Sequence, residues 1–588
     1  VRKGYPVEFA YHRTSGVIYR SDDQTVYKAE DMRRTLIAAA AVVVLGGAAY
    51  YGLFIVPSQQ LRTGLDQTIA TLPPGYSVHY GGASYSLLSH TATITDLSVQ
   101  GPASFPLNET IAKITVERPA LDFMDRWKYA QANPSALKPD EALPIADRIA
   151  TEGMKVSGAG VNGTIANTSV IKTRIYPWPL FQPGVPPLKD FGAIFMTAIQ
   201  AQRQFAERQQ VLLAQQQKSQ GQDEGQVTVA PSPRDLEKLQ RESLEAVLPL
   251  LRLEAIAFLA IGYDSGDGSG LDIAISQPAM GAPGSLGDLH IVMNKLHARE
   301  FDRGVGGANS IDGLVEDLGK NRKYVVDHAS FGNMVLRDAA TRLLNGDPLS
   351  MAMLDGSTIA PMEIDGMSMT LPIGGTVHIQ RVSLSDLAFD HSFLKSFGFN
   401  LIGLKQNIAD MDEPVKASLQ RFGLTSITAN MGAAFQWDAD KKTATLQDAV
   451  FSVEELGSLQ LNADLVNIGP ASPAGSNQPG FSKATLHYRD ASLINRLLSA
   501  GGQRSQAQLA QMRQMFAANL LHGLGPVASD PKLASSVKAI SDFAQTPQSL
   551  TITLVPPAPV PLATMKDVAA QGLQALFVTL GLSVAANQ

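Results

Sequence analysis

The sequence predicts an α+β protein: a single N-terminal transmembrane helix, an elongated, mainly antiparallel β-sheet body with an inserted helical hairpin, and a helical C-terminal tail. Three observations carry that prediction. Leu36 to Val56 is uncharged and rich in Ala and Val, about the length that crosses a bilayer as a helix. Much of the chain behind it alternates polar and apolar side chains between Gly- and Pro-rich punctuation, the pattern of strands with one wet face. Leu188 to Leu251 and the region after Ala491 replace that alternation with helical spacing.

Arg33 and Arg34 sit just before the span and Arg62 is the nearest basic residue behind it, so positive charge keeps the amino end cytoplasmic and everything after Pro57 extracytoplasmic. Tyr50, Tyr51 and Phe54 then fall near the outer interface. A cleaved signal peptide with the small residues Ala48 and Ala49 is the rival reading, although a cleavable apolar region is usually only about 7 to 15 residues. A buried soluble helix is the third, opposed by the basic flank and the lack of a polar face. Val1 to Asp31 has no period, and Met32-Arg33-Arg34 opens the span as an export signal does. A start at Met32 and a genuine cytoplasmic tail both fit.

At 588 residues the chain exceeds one ordinary core. Its segments are 1–35 (tail), 36–56 (anchor), 57–187 (first β-rich part), 188–251 (helical hairpin), 252–469 (second β-rich part) and 470–588 (linker and mixed helical end). Net charge is −6 overall; the residues before Leu36 carry seven Lys and Arg against five Asp and Glu, which leaves −8 for the body. Such a body has no electrostatic case for nucleic acid. There is no cysteine, which excludes disulfides, thiolate metal sites and a Cys nucleophile.

In order, Leu61 to Leu72 reads as a short amphipathic helix stopped by Pro73, Pro74 and Gly75. Ser77–Tyr80, Thr91–Val99 and Ile111–Val116 alternate as strands; Asp122–Ala130 is a helical turn, and Met154–Ile175 returns to strand. Leu188–Gln217 and Asp235–Leu251 are the two helices of the hairpin, joined by a polar loop. Ile256–Tyr263, Gly270–Ser276, Leu289–Leu296, Met367–Leu371 and Thr376–Leu384 are expected strands, with short helices at Asp312–Leu318 and Met334–Leu344. Gly432–Val466 is the clearest unit: Phe435 and Trp437 share a face, Asp438–Lys442 turn, Thr443–Val453 returns, and Leu459, Leu461, Ala463 and Leu465 face one way on a third strand. Pro470–Pro479 is a linker and Ala484–Tyr488 a strand. Ala491–Leu498, Gln506–Leu521, Lys532–Phe543 and Met565–Leu580 are helices, with a strand at Ser549–Leu554 and an extended proline segment between Pro556 and Pro561. Asp recurs in Thr95-Asp96-Leu97, Ser385-Asp386-Leu387 and Gln447-Asp448-Ala449, each time at the expected polar end of a strand.

No constellation announces a reaction, and no catalytic, cofactor-binding or metal-binding residue is assigned. Gly158-Ala159-Gly160-Val161-Asn162-Gly163 fits the dinucleotide string, but a strand follows where a helix is needed, so a hairpin turn is expected. Asp264 to Gly270 looks like a calcium loop, yet its third and fifth positions are glycines and no Glu closes it. It reads as a solvated turn. Pro283 spoils a nucleophile elbow at Gly284-Ser285-Leu286-Gly287. His290 and His297 lack zinc-site spacing. Asp327-His328, Asp390-His391 and His487 with Asp490 could supply acid and base pairs, and read as polar strand ends. Arg504 to Arg513 is a solvated helix face.

With the anchor, Tyr76-Ser77-Val78, Thr93-Ile94-Thr95-Asp96-Leu97-Ser98-Val99 and the Leu446–Val466 meander containing Gly457-Ser458-Leu459-Gln460-Leu461, the chain resembles the AsmA-like and YdgA-like bacterial envelope proteins. The Gln-rich hairpin departs from that group. The resemblance implies inner-membrane anchoring with a periplasmic body, and envelope maintenance or lipid handling along an apolar groove without catalytic residues. The expected function is therefore non-enzymatic, with the bilayer, a lipid or an envelope membrane protein as partner. A periplasmic hydrolase and an oligomeric scaffold joined through the Leu188–Leu251 helices are the rivals.

Overall fold

The computed structural model describes residues 58–70, 75–101, 107–158, 161–186, 248–275, 289–319, 322–348, 350–359, 361–371, 375–469, 478–499, 505–570 and 578–588. The chain divides into two units, Val1–Leu72 and Pro73–Gln588. In the first, Ser58–Ala70 is the helix expected before the double proline. The span Leu36–Val56 and most of the Leu188–Leu251 hairpin lie outside the described residues. Among the described residues, no helix is long and apolar enough to cross a membrane.

The second unit is mainly antiparallel sheet with helices, the α+β class expected. β1 (Ser77–His79) and β2 (Gly82–Ser86) both pair with β3 (Thr91–Gln100), from which a meander runs through β4 (Leu107–Pro119), β5 (Leu143–Gly158), β6 (Val161–Ile175), β7 (Ile261–Ile275) and β8 (Leu289–Asp302). Three broken strands come next: β9 (Val305–Gly306) with β10 (Asn309–Asp317), β11 (Lys323–Phe331) with β12 (Met334–Val335), and β13 (Thr358–Ile359) with β14 (Met362–Leu371). The meander continues through β15 (Gly375–Asp390), β16 (Phe393–Asn407), β17 (Ser426–Asp438), β18 (Thr443–Val453), β19 (Gly457–Val466) and β20 (Gly480–Asp490). It ends on β21 (Ser549–Leu554), the short β22 (Val560–Pro561) and β23 (Leu582–Ala586).

Three expectations are corrected. Residues 248–260 are helical, so the apolar run from Ile256 is the end of a helix and β7 starts only at Ile261. Asp312–Leu318 is not a helix, because Asn309–Asp317 is β10. Asp264–Gly270 is not a turn but lies inside β7. The Gly432–Val466 unit has the predicted form, with β17 ending at Asp438 and β18 beginning at Thr443.

One device explains two of these errors. Left-handed residues stand at a common level on every second strand of the meander: Asp96 (φ 50°) in β3, Gly153 (63°) in β5, Gly270 (63°) in β7, Gly313 (63°) in β10, Gly366 (64°) in β14 and Gly403 (66°) in β16. From β3 to β15 the strand beside each supplies one matching unpaired residue, as in the step from Thr95↔Lys113 to Leu97↔Ile111 that leaves Asp96 and Ala112 between. Two successive side chains then point to one face, and both strands absorb the extra residue, so the ladder resumes in register. Buried positions accordingly step by three at this level: Ile94 to Leu97 in β3 and Ile111 to Ile114 in β4. At Gly403 an Asn on the neighbouring strand accepts the freed backbone N–H, the Asn430 amide oxygen lying 2.7 Å from the Gly403 nitrogen. Asn462 does the same for the left-handed Asp448 of β18 at 2.8 Å. A second crease crosses β4 to β8 at Arg118, Asp147, Lys172, Asp264 and Glu300, each six residues from its strand's first-crease residue (Ala112, Gly153, Ala166, Gly270, Asn294). At about 3.3 Å per residue the creases are roughly 20 Å apart along the strands.

Candidate functional site

Holding the register across each crease keeps one face of the sheet apolar. On one side of the first crease, Leu97, Ile111, Met154, Ile165, Leu271 and Met293 are successive cross-strand neighbours on β3 to β8. Leu314, Val326, Met367 and Ile379 extend the row to β15. On the other side Ile94 and Ile114 lead, through Thr151, Thr168 and Gly268, to Leu296, Ile311, Ala329, Ile364, Val382 and Leu401. This second row then passes through Met431, Phe451 and Leu459 to Tyr488. Val326, Ala329, Met367, Val377, Ile379 and Leu401 form a buried cluster on this face.

Burial along the face is uneven. Met431, Phe451 and Leu459, on three adjacent strands, are 37%, 49% and 39% exposed. Beyond them the helix Ala534–Gln545 covers the end of the sheet: Phe543 meets the Tyr488 ring edge-on at 5.8 Å, and Ser536 Oγ accepts the Val584 N–H at 3.1 Å. That last bond occupies a donor on β23, an edge strand otherwise open to pairing. Leu465 packs against the buried cluster of Phe481, Val560 and Leu580. β19 thus carries an open apolar end at Leu459 and a closed one at Leu465.

The opposite face pairs its charges. Lys113–Glu152 (2.8 Å), Arg148–Glu117 (2.8 Å) and Arg118–Asp147 (3.2 Å) link β4 to β5. Asp327 and His328 are chain neighbours but not a couple, since His328 Nδ1 binds Asp312 at 2.6 Å. His297 Nδ1 lies 2.6 Å from Asp267, and Arg299 Nε donates to its Nε2 at 3.1 Å, which places the ring proton on Nδ1. His290 binds Asp272 at 2.8 Å. Asp390 and His391 meet each other at 2.8 Å. His487 turns to Thr551, while Asp490 accepts from Tyr488. A cavity of about 530 Å³ opens on this face over Gly366 and Gly403, between Asp327, His378, Gln380, Lys405, Thr428 and Glu454. Within the Gly158–Gly163 string, Gly158 pairs with Val161 across the β5–β6 hairpin. Ser285 lies outside the described residues. Arg513 reaches back to Asn495 at 3.1 Å. Among the described residues no three His, Cys, Asp or Glu are grouped as a metal site needs.

Two features have no sequence signal. Asp302 accepts from Tyr176 and from Arg174 (3.2 Å), and Arg337 (3.3 Å) and Arg303 (3.5 Å) stand against it, with Arg303 also 4.8 Å over the Tyr176 ring. Burial would raise the Asp302 carboxyl, but the Tyr176 hydroxyl and the Arg174 charge hold it below its ordinary value. Its position explains it: Ile175 pairs with Ile261, so the network clamps the place where the chain leaves β6 and re-enters at β7. The other feature is Glu109, in β4 between Val99 and Val156 on the apolar face. It is 2% exposed, neither oxygen has a partner among the described residues, and burial pushes the carboxyl up to about 7.

A family model described as "Uncharacterized protein" matches residues 450–587, from within β18 to β23. No curated protein and no solved structure matches the chain.

Proposed function

We propose that this chain is a non-enzymatic, membrane-anchored envelope protein that carries lipid acyl chains on the apolar face of its meander. The supporting observation is the second cross-strand apolar row, which leads from Leu401 to the exposed Met431, Phe451 and Leu459. These three side chains are an exposed apolar stretch at the end of a face that is otherwise buried or half-buried, and a contiguous exposed apolar patch marks a binding face. A sheet suits an acyl chain because its backbone groups are already paired in the ladder, so the face offers methyl and methylene contacts without unsatisfied donors. The uncharged span Leu36–Val56, with Arg33 and Arg34 before it, supports an inner-membrane anchor and a periplasmic body. Purifying the full chain from membranes and analysing its organic-solvent extract by mass spectrometry tests the reading. Acyl lipid is expected in the wild type and depleted in Phe451→Asp; a lipid-free wild type would remove the proposal.

A further inference from the structure

The glycines of β7 fall into two kinds. Gly270 is left-handed, and an added Cβ would lie 2.7 Å from that of Ala166, so no other residue fits. Gly266 and Gly268 lie outside the left-handed region, and the nearest atoms to an added Cβ are 3.8 Å and 3.7 Å away, ordinary van der Waals distances. Neither backbone conformation nor crowding among the described residues demands glycine there, and glycine inside a strand weakens it. Both belong to the apolar face, where Gly266 stands between Val170 and Ala298 and Gly268 between Thr168 and Leu296. Each interrupts a row that is otherwise filled by side chains, leaving strand backbone between walls of Val170, Thr168, Leu296 and Ala298, with the Tyr263 ring at the Gly266 end.

We infer that this notch in β7 seats one acyl chain, the glycines being kept so that a methylene chain can lie against the strand backbone. This rests on the lipid-carrying reading above and adds to it a location. The walls are uncharged, which disfavours an ionic headgroup and fits an uncharged chain. The notch lies in the band between the two creases, roughly 20 Å long, which exceeds the roughly 15 Å that an acyl chain spans in one leaflet of an approximately 30 Å hydrocarbon core.

The test uses the full chain, delipidated, with a pyrene-labelled hexadecanoic acid as probe, in the wild type, Gly268→Val and Phe451→Ser. Valine is a better strand former and its Cβ meets Leu296 at an ordinary van der Waals distance of 3.7 Å, so Gly268→Val should melt no lower than the wild type. Its probe affinity should fall by about tenfold or more. Equal binding by Gly268→Val, with binding lost in Phe451→Ser, would overturn the notch and leave the wider reading standing. A wild type that takes no probe overturns both. A steep fall in melting temperature for Gly268→Val would show that the space is filled by the chain's own residues, which also ends the proposal.

Discussion

Replacing Glu109 with Gln should stabilise the fold in alkali and change little in acid. The carboxyl's ordinary value is 4.5, and its position in β4 between Val99 and Val156 pushes it to about 7. The folded state therefore holds the proton more tightly than the unfolded chain. Its contribution is fully present below the unfolded value and is lost as pH rises through 7, because the folded state must then either bury a charge or keep a proton the solvent would take. The interval between 4.5 and about 7, at about 1.36 kcal/mol per pH unit, amounts to about 3 kcal/mol lost by pH 8. Gln keeps the shape and does not titrate, so it carries only a pH-independent cost for a buried amide. Urea melts of both proteins at about pH 4 and about pH 8 should show the gap opening by about 3 kcal/mol in favour of the variant. A gap that is the same at both pH values, or that moves against Gln at the higher one, would refute the assignment of Glu109 as a buried, unpartnered acid.

Three further outcomes follow from the same geometry. Gly366→Ala, at φ 64° and against the Asp327 side chain, should cost at least about 1–2 kcal/mol in a urea melt, whereas Gly268→Ala should be neutral or stabilising. Leu465→Asp should destabilise by several kcal/mol, because it puts an unpaired charge against Phe481, Val560 and Leu580, while Leu459→Asp on the open end of the same strand should cost less than about 1 kcal/mol and deplete bound lipid. Asp302→Asn should lose about 1–3 kcal/mol by leaving Arg174, Arg303 and Arg337 together, with Lys113→Gln on the exposed Lys113–Glu152 pair as a near-silent control.

What was legible in the sequence is what simple alternation encodes. β17 and β19 are readable because each keeps its faces by simple alternation, and Lys532–Phe543 because its apolar residues recur at helical spacing, as they do in the helix Ala534–Gln545. The creases were not legible, for a physical reason. A left-handed residue in mid-strand puts apolar positions three apart, as at Ile311 and Leu314 around Gly313, and that spacing imitates a helix. Glycines with aspartates imitate a turn, which misplaced Asp264–Gly270. The recurring Asp was a real signal with the wrong meaning: Asp96 and Asp448 are left-handed residues inside strands, a conformation Asp tolerates, and Asp386 falls in a register shift of β15. The Asp302 network joins residues up to 163 positions apart, from Arg174 to Arg337, and three separate strand pairings bring them together: Ile175 with Ile261, Gly262 with Asp302, and Val335 with Val305.

The central claim is that the apolar face of the meander holds acyl chains, and a photo-crosslinker placed on each face tests it most directly. Benzoylphenylalanine in place of Phe451 looks out from the apolar face; in place of Ser458, the residue before Leu459, it looks out from the other. Irradiation in intact cells followed by mass spectrometry should give acyl-lipid adducts at Phe451 and not at Ser458. Adducts at neither position, or at Phe451 only with the protein's own peptides, would contradict the account.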